Sequence, residues 1–316
     1  MTESWIRTLA QTAQATEAGL VGWRVERLRQ SLEGPLAIVG AGAMRTATML
    51  WAQLHERSGH PAWAMTPYQL MERGIPKGTR VLFLSVSGRN HDMLRAVRFT
   101  GERGVAAHAV VFNSGSPLVA MLREAGPDSG IMLLPAPDQR DSLTTIHSLV
   151  SMSVLAASVN EGGGPWAPSF FVQRQPMPPE RPGHVIVLGV GDSQPAAFDF
   201  AARCRSTGFA PAHVTDLRDF AHGDLMTVRA DDTWLVAFAS GAQGRLVKRA
   251  LSYVPAEIPR VLFETSAQGA TAALELMSRS MVGFVELAER MNMTADSVSK
   301  PGWTSKLFFM PIDSDP

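Results

Sequence analysis

Short runs of consecutive hydrophobic residues recur along the chain and alternate with stretches of helical spacing. In the first half, four such runs each lead into a turn rich in Gly, Ser, Thr or Asn: 36–43, 60–66, 80–88 and 107–115. Continuous apolar runs without alternation are typical of strands that are buried on both faces. Between them, segments 44–59 and 91–104 have the apolar spacing of helices. Strands that alternate with helices predict right-handed crossovers, and therefore a parallel sheet covered by helices.

The same order of apolar runs returns in the second half of the chain. The four runs there are 185–192, 210–216, 233–241 and 259–267. The spacing also agrees, because 45 residues separate Gly42 from Ser87 and 49 separate Gly191 from Ser240. Agreement in order and spacing over four successive elements indicates an internal repeat. We therefore predict an α/β protein built from two tandem copies of one parallel α/β unit.

The repeat also predicts the domain boundaries. Residues 1–35 are expected to form a helical arm, and 36–160 the first unit. Residues 161–182 are dense in Pro and Gly and are predicted to be a linker, followed by the second unit and a C-terminal tail over 183–316. A chain of 316 residues is long enough for two separate cores.

Composition narrows the classes of partner. Lys+Arg and Asp+Glu balance at 29 each, so the electrostatic signature of a nucleic-acid binder is missing. No apolar stretch approaches the ~20 residues that span a bilayer, and the N-terminus does not have the pattern of a signal peptide. The single cysteine, Cys204, is expected to be a small buried residue. We predict a cytoplasmic protein with no nucleic-acid or membrane partner, no metal and no cofactor.

The segment 85–92, SVSGRNHD, follows a predicted strand and opens a predicted helix. Ser85 and Ser87 provide hydroxyl groups, Gly88 allows a close approach of the backbone, and Asn90 is a favourable helix N-cap. In an open parallel sheet, ligands bind beyond the carboxyl ends of the strands. This segment is therefore a candidate anion cradle, and an ordinary strand-to-helix turn is the alternative.

Glycine turns follow the first strand of each half, at 40–45 and 189–194. A dinucleotide site requires Gly-x-Gly-x-x-Gly at this place. The third glycine would fall on Arg45 and Gln194, so both copies fail. Asp216 could imitate the acid that binds a ribose, but its spacing is loose. Tight turns without a cofactor are the better interpretation.

These features together resemble the SIS (sugar isomerase) family. The likeness is to the double-SIS proteins, which include the isomerase domain of glucosamine-6-phosphate synthase and the fructosamine-6-phosphate deglycases. It extends from about Leu36 to Lys306. The resemblance implies two tandem SIS subdomains, each an αβα sandwich, that bind a small-molecule sugar phosphate. It also implies that the phosphate is cradled by the segment just described, with Asn90 where the family often has threonine. The sugar contacts that it implies are Gly42, Ala43, Met44 and Thr144.

The resemblance also implies catalytic residues. A His-Gly pair is matched by His222-Gly223, and this histidine is associated with opening of the sugar ring. A lysine in the C-terminal tail of the family, which closes over the sugar, is matched by Lys306. The family glutamate that lies 16 residues before the histidine falls on Ser206, which cannot shuttle a proton as a carboxylate does.

The catalytic base is therefore left open. Asp219, in the same loop as His222, is the acid placed in the predicted site; the other acids considered are Glu264, Asp138 and Asp141. Two functions remain: an isomerase or deglycase type of enzyme with an atypical base, and a non-catalytic sugar-phosphate sensor or regulator. Several family members build their site between two subunits, so a homodimer is expected.

Overall fold

The computed structural model describes residues 2–125, 129–135, 146–162, 164–170 and 175–293. Contacts divide the chain into two compact units. The first unit comprises the described residues of 15–140 and 148–164. The second comprises the described residues of 1–14, 141–147 and 165–298.

The first unit contains a parallel sheet of five strands, in the order β2-β1-β3-β4-β5. The strands are β1 (Leu36–Gly40), β2 (Ala62–Met65), β3 (Arg80–Ser85), β4 (Ala107–Val111) and β5 (Gly130–Leu133). The helices before, between and after them are α1 (Thr2–Gly19), α2 (Gly22–Ser31), α3 (Met44–Arg57), α4 (Pro67–Arg73), α5 (His91–Glu102), α6 (Pro117–Glu124) and α7 (Ile146–Asn160).

The second unit contains a parallel sheet of four strands, in the order β7-β6-β8-β9. The strands are β6 (His184–Leu188), β7 (Ala212–Thr215), β8 (Thr233–Ser240) and β9 (Arg260–Thr265). The α-helices are α8 (Gln194–Ser206), α9 (Leu217–His222), α10 (Gln243–Ser252) and α11 (Gly269–Arg290). Short 3-10 helices occupy Ala167–Phe170, Gly191–Ser193 and Asp224–Thr227.

The strands form where the apolar runs predict them. Every residue of β1, β4 and β8 is buried, as expected for strands with helices on both faces. The predicted fold class, two tandem α/β units with parallel sheets flanked by helices, is confirmed. The fifth strand of the first sheet, β5, was not predicted. It has four residues, of which only Met132 is buried, and the sequence interpretation counted only the four longer apolar runs before it.

Helix starts at the carboxyl ends of the strands are set by local capping. Thr66 and Gln69 form a reciprocal capping box at α4, and the Ser116 side chain accepts a hydrogen bond from the Val119 amide at α6. The Asp216 carboxylate accepts from the amides of Arg218 and Asp219 at α9, at 2.6 and 3.0 Å. These bonds satisfy amides that the first turn of a helix leaves open, and they fix the loops that follow the strands.

Candidate functional site

The strand order places a topological switch point in the first sheet. The chain runs from β1 outwards to β2 in one direction and from β3 to β5 in the other. Ligands of open α/β sheets bind in the crevice beyond the carboxyl ends of the strands at such a point. The two loops that leave this crevice are residues 41–43, after β1, and 86–90, after β3.

The serine loop, residues 85–90, is held by its own side chains. The Ser85 hydroxyl, which is buried, accepts a hydrogen bond from the Gly88 amide at 3.0 Å. The Ser87 hydroxyl, which is exposed, accepts from the Arg89 amide at 3.3 Å. Asn90 caps α5, because its Oδ1 accepts from the Met93 amide at 3.0 Å. A hydroxyl that accepts a bond still has its own O–H to donate, so Ser87 can donate to an anion at this loop.

Gly88 is required by the shape of this loop. Its φ is +62°, in the left-handed region that favours glycine. A Cβ at this position would lie 2.4 Å from the Ser116 Oγ and 2.6 Å from the Ser116 Cβ. The Leu118 amide also donates to the Gly88 carbonyl at 3.2 Å. The serine loop is therefore packed directly against the start of α6.

In the β1–α3 turn, the groups available to a ligand in the crevice are backbone atoms, because the turn has few exposed side chains. Gly42 is exposed with φ +58°, whereas the Met44 side chain is only 4% exposed. A Cβ at Gly40 would lie 2.7 Å from the Thr48 Cγ2, so α3 packs closely on the end of β1. Of the predicted sugar contacts in this turn, Gly42 and Ala43 lie at the surface or near it, and Met44 lies in the core.

Two arginines follow the same two strands, and the sequence interpretation did not assign either of them to the site. Arg89 is an exposed residue of the serine loop. Arg45 lies in the first turn of α3, half-buried, and donates to the Gln69 Oε1 at 3.2 Å. Burial lowers the pKa of Arg45, but a guanidinium stays protonated at neutral pH. The signal that could have found them is a basic residue directly after each of two strand-end turns.

The corresponding edge of the second sheet is occupied by the chain's own groups. The Asp192 Oδ2 accepts from the Gly269 amide at 2.8 Å, so a carboxylate already lies at the start of α11. Ser240 is buried, and the Gly241 amide donates to the Thr265 carbonyl at 3.0 Å. This edge therefore lacks an exposed hydroxyl in the place of Ser87.

The predicted ring-opening histidine lies at the surface of the second unit. His222 is the last residue of α9 and is exposed, as is Asp219 one turn earlier. Residues three apart are neighbours on a helix, with Cβ atoms ~5–6 Å apart. Asp216, which was considered as a ribose acid, is the N-cap of this helix, and the backbone hydrogen bonds it accepts lower its pKa.

Several other candidates take part in structural contacts. Glu264 forms an ion pair with Lys248 at 2.8 Å. Cys204 is buried in α8, and burial raises the pKa of its thiol to about 12, which keeps it a protonated, unreactive group.

Ser206 lies at the end of α8 and is exposed. Its hydroxyl donates to the Arg203 carbonyl at 3.3 Å. Within the same helix, Asp199 and Arg203 form an ion pair that is almost completely buried. Asp199 is the only acidic residue of α8, and its carboxylate is hydrogen-bonded to the Arg203 guanidinium one turn away.

Four predicted residues lie outside the described part of the chain: Thr144, Lys306, Asp138 and Asp141. Within the described ranges, no three His, Cys, Asp or Glu side chains are arranged to hold a metal ion. A search of the same ranges finds no helix with the length and apolar character needed to cross a membrane.

The fold is that of the tandem SIS proteins, and the resemblance inferred from the sequence is confirmed at the level of fold. No family model matches the chain, and no curated protein matches its sequence. Among solved structures it is similar to tagatose-6-phosphate ketose/aldose isomerase from Escherichia coli, with a TM-score of 0.70, 16% identity, and coverage of 95% of this chain and 93% of the other.

Two further solved structures show the same likeness. The C-terminal domain of glucosamine-fructose-6-phosphate aminotransferase from Francisella tularensis has a TM-score of 0.67 and 15% identity, over 95% of this chain and 96% of the other. Glucosamine-6-phosphate deaminase from Thermotoga maritima has a TM-score of 0.64 and 13% identity, over 92% and 97%. At these identities the likeness concerns the fold alone.

Proposed function

We propose that this protein binds a phosphorylated sugar at the carboxyl-end edge of its first sheet, with the phosphate in the serine loop. The observation that carries the proposal is the exposed Ser87 hydroxyl, which follows β3 at the switch point of the sheet. Backbone amides at the start of α5 and the guanidinium of Arg89 add favourable charge for an anion. The three compared proteins, all of the same fold, are named for sugar 6-phosphates.

In this proposal, Ser85, Ser87, Gly88 and Asn90 form the phosphate cradle. Ser85 and Asn90 act mainly by fixing the loop, because both accept bonds from its amides. Gly42, Ala43 and Met44 contribute the backbone of their turn, and Thr144 remains a predicted sugar contact. Asp192 supports the choice of the first sheet, since it places a carboxylate in the turn after β6, which corresponds to the β1–α3 turn of the first unit.

For the reaction we propose ring opening and proton transfer of the isomerase or deglycase type. His222 would move the proton of the ring oxygen, Asp219 would be the nearby carboxylate, and Lys306 would neutralise developing charge. The neighbouring positions of Asp219 and His222 on α9 support this pairing. The alternative is a sugar-phosphate sensor, which is favoured by Ser206 at the place of the family glutamate. We also propose a cytoplasmic homodimer, which light scattering coupled to gel filtration would test.

The test is a thermal-shift screen of hexose and hexosamine 6-phosphates against the wild type, Ser87→Ala and a control, Ser252→Ala. A ligand that binds only the folded state raises the melting temperature by mass action. Ser252 is an exposed serine at the end of α10, whose hydroxyl donates to its own helix. We expect at least one sugar phosphate to stabilise the wild type and Ser252→Ala, but not Ser87→Ala. Equal stabilisation of all three proteins would contradict the proposed cradle.

A further inference from the structure

A cavity of about 800 Å³ lies in the first unit, away from the serine loop. Its lining comes from α2, from the starts of β3 and β4, and from the edge strand β5: Trp23, Arg24, Arg27, Leu28, Ser31, Arg80, Ala106, His108, Ser129, Gly130, Ile131, Met132 and Leu133. Small-molecule sites typically have volumes of ~300–1,000 Å³. Arg80 begins β3, whereas the serine loop follows the last residue of that strand, so Arg80 and the loop lie at opposite ends of β3.

The charged side chains that the structure describes in the lining of the cavity are all arginines. Arg24 and Arg27 lie three residues apart on α2 and therefore share a face of that helix. Arg80 joins them from β3 and is anchored by a hydrogen bond to the Glu33 carbonyl. No acidic side chain is present among the described residues that line the cavity. Positive charge in a concave site raises the local concentration of anions.

His108 is an incompletely satisfied polar group in the wall of this cavity. It is 4% exposed, and its Nδ1 has no hydrogen-bond partner among the described residues. The ring lies so close to Gly130 that a Cβ there would be 2.4 Å from this nitrogen. Burial, and secondly the charge of Arg80, lower the pKa of His108 to about 4. Buried polar atoms without a partner are rare in native proteins and call for an explanation such as a ligand.

The cavity also has an apolar side. Leu28, Ile131 and Met132 contribute hydrophobic surface. The indole of Trp23 is 60% exposed, and the Arg24 guanidinium lies 5.3 Å from its ring centroid. This cation–π contact holds the Arg24 side chain against the indole ring. A ligand with a charged group and a less polar part could contact both the arginines and the apolar side chains of this cavity.

We propose that this cavity is a second ligand site, separate from the proposed sugar site, for a small organic anion that carries two or more negative charges. Arg27 and Arg80 bind the charged head, with Arg24 at the rim. His108 contacts it from the floor of the cavity. Leu28, Ile131 and Met132 pack against the organic part. Arg80 and the serine loop lie at opposite ends of β3, so a ligand bound by Arg80 and a phosphate in the serine loop do not compete for the same groups.

Isothermal titration calorimetry with inorganic pyrophosphate and with ADP tests this site on the full chain. The variants are Arg27→Glu and a matched control, Arg98→Glu. Both arginines are exposed helical residues without a hydrogen bond or ion pair among the described residues, so neither change should prevent folding, and melting temperatures verify this. We expect both probes to bind the wild type, and ADP to bind more tightly. Arg27→Glu should weaken binding at least ~10-fold and Arg98→Glu by less than ~2-fold.

The same titrations separate this site from the sugar site. Ser87→Ala should keep the affinity for pyrophosphate, and Arg27→Glu should keep any stabilisation by a sugar phosphate. The proposal is overturned if neither probe binds the wild type, or if Arg27→Glu and Arg98→Glu behave alike. It is also overturned if pyrophosphate binding is lost in Ser87→Ala and kept in Arg27→Glu, since the anion then occupies the serine loop. ADP binding no tighter than pyrophosphate overturns the organic part of the assignment.

Discussion

The Asp199 carboxylate accepts two hydrogen bonds from the Arg203 guanidinium, at 2.7 and 2.9 Å, on consecutive turns of α8. Asp199 is 2% exposed and Arg203 is 1% exposed. Bidentate arginine–carboxylate pairs are among the stronger polar contacts in proteins. Burying two charges is also costly, and here each buried charge is offset by the other one beside it.

Asp199→Asn is expected to reduce the free energy of unfolding by about 3–5 kcal/mol, because it removes the negative charge that lies against the buried Arg203 guanidinium. Urea denaturation measures this difference. Asp231→Asn is the control, since Asp231 is an exposed acid of the same unit. The double variant Asp199→Leu/Arg203→Met should be more stable than Asp199→Asn. A loss below ~0.5 kcal/mol, the level of an ordinary surface change, would contradict this account of the pair.

Gly88→Ala is expected to destabilise the first unit and to abolish stabilisation by sugar phosphates. The change introduces a Cβ at φ +62° and forces it to 2.4 Å from the Ser116 Oγ. Gly104→Ala is a matched control, because Gly104 has φ +61° with nothing within 4 Å of its Cβ position.

The control should cost about 1 kcal/mol, from the backbone conformation alone, and Gly88→Ala clearly more. Thermal unfolding without ligand measures the loss of stability, and thermal unfolding with a sugar phosphate measures the loss of binding. Equal losses in both variants would show that the contact with Ser116 does not constrain the serine loop.

The two-unit fold could be predicted because its signal is local and repeated. Each buried strand is a continuous apolar run, and the runs recur at matching spacings in both halves. β5 was not predicted because its short apolar run, Ile131 to Leu134, has no counterpart among the four runs of the second half. The serine loop could be found for a similar reason, since strand-end turns are visible in the sequence.

The remaining features depend on contacts that no local pattern records. Arg45 meets Gln69 only because α3 and α4 begin just after two paired strands, β1 and β2. The anion cavity joins Arg27, Arg80 and His108 because α2 lies beside β5, an element the sequence did not reveal. The ion pair of Asp199 was not predicted, because position 206 was the only one on this helix for which the family resemblance implied a carboxylate.

His222→Asn and Asp219→Asn separate the enzyme from the sensor. If the protein turns over a sugar phosphate, removal of a general acid or base should lower kcat by ~10²-fold or more. Binding of that sugar phosphate should change little, because neither residue belongs to the serine loop. The assay uses whichever sugar phosphate stabilises the wild type, and Asp231→Asn again provides the control. Undiminished turnover in both variants would remove them from the mechanism, and binding without turnover in the wild type would favour the sensor.

His108 is expected to make the stability of the protein depend on pH. A histidine in the unfolded chain has a pKa of about 6.5, whereas His108 in the folded protein has a pKa of about 4. Between these values the unfolded chain binds a proton that the folded protein does not, so stability falls as the pH falls. Among the described residues, the charged groups that line the cavity with His108 are Arg24, Arg27 and Arg80, and the charge of Arg80 opposes its protonation.

From about pH 7 to pH 5, this single group should lower the free energy of unfolding by ~2 kcal/mol. Urea denaturation of the wild type and His108→Gln at both pH values isolates the effect, because the variant should lose ~2 kcal/mol less than the wild type. Saturating pyrophosphate in the wild type should shrink the difference, since an anion beside the imidazole favours its protonated form. An identical pH dependence in the two proteins would mean that His108 protonates as readily when folded as when unfolded, and that the cavity does not exclude charge from its imidazole.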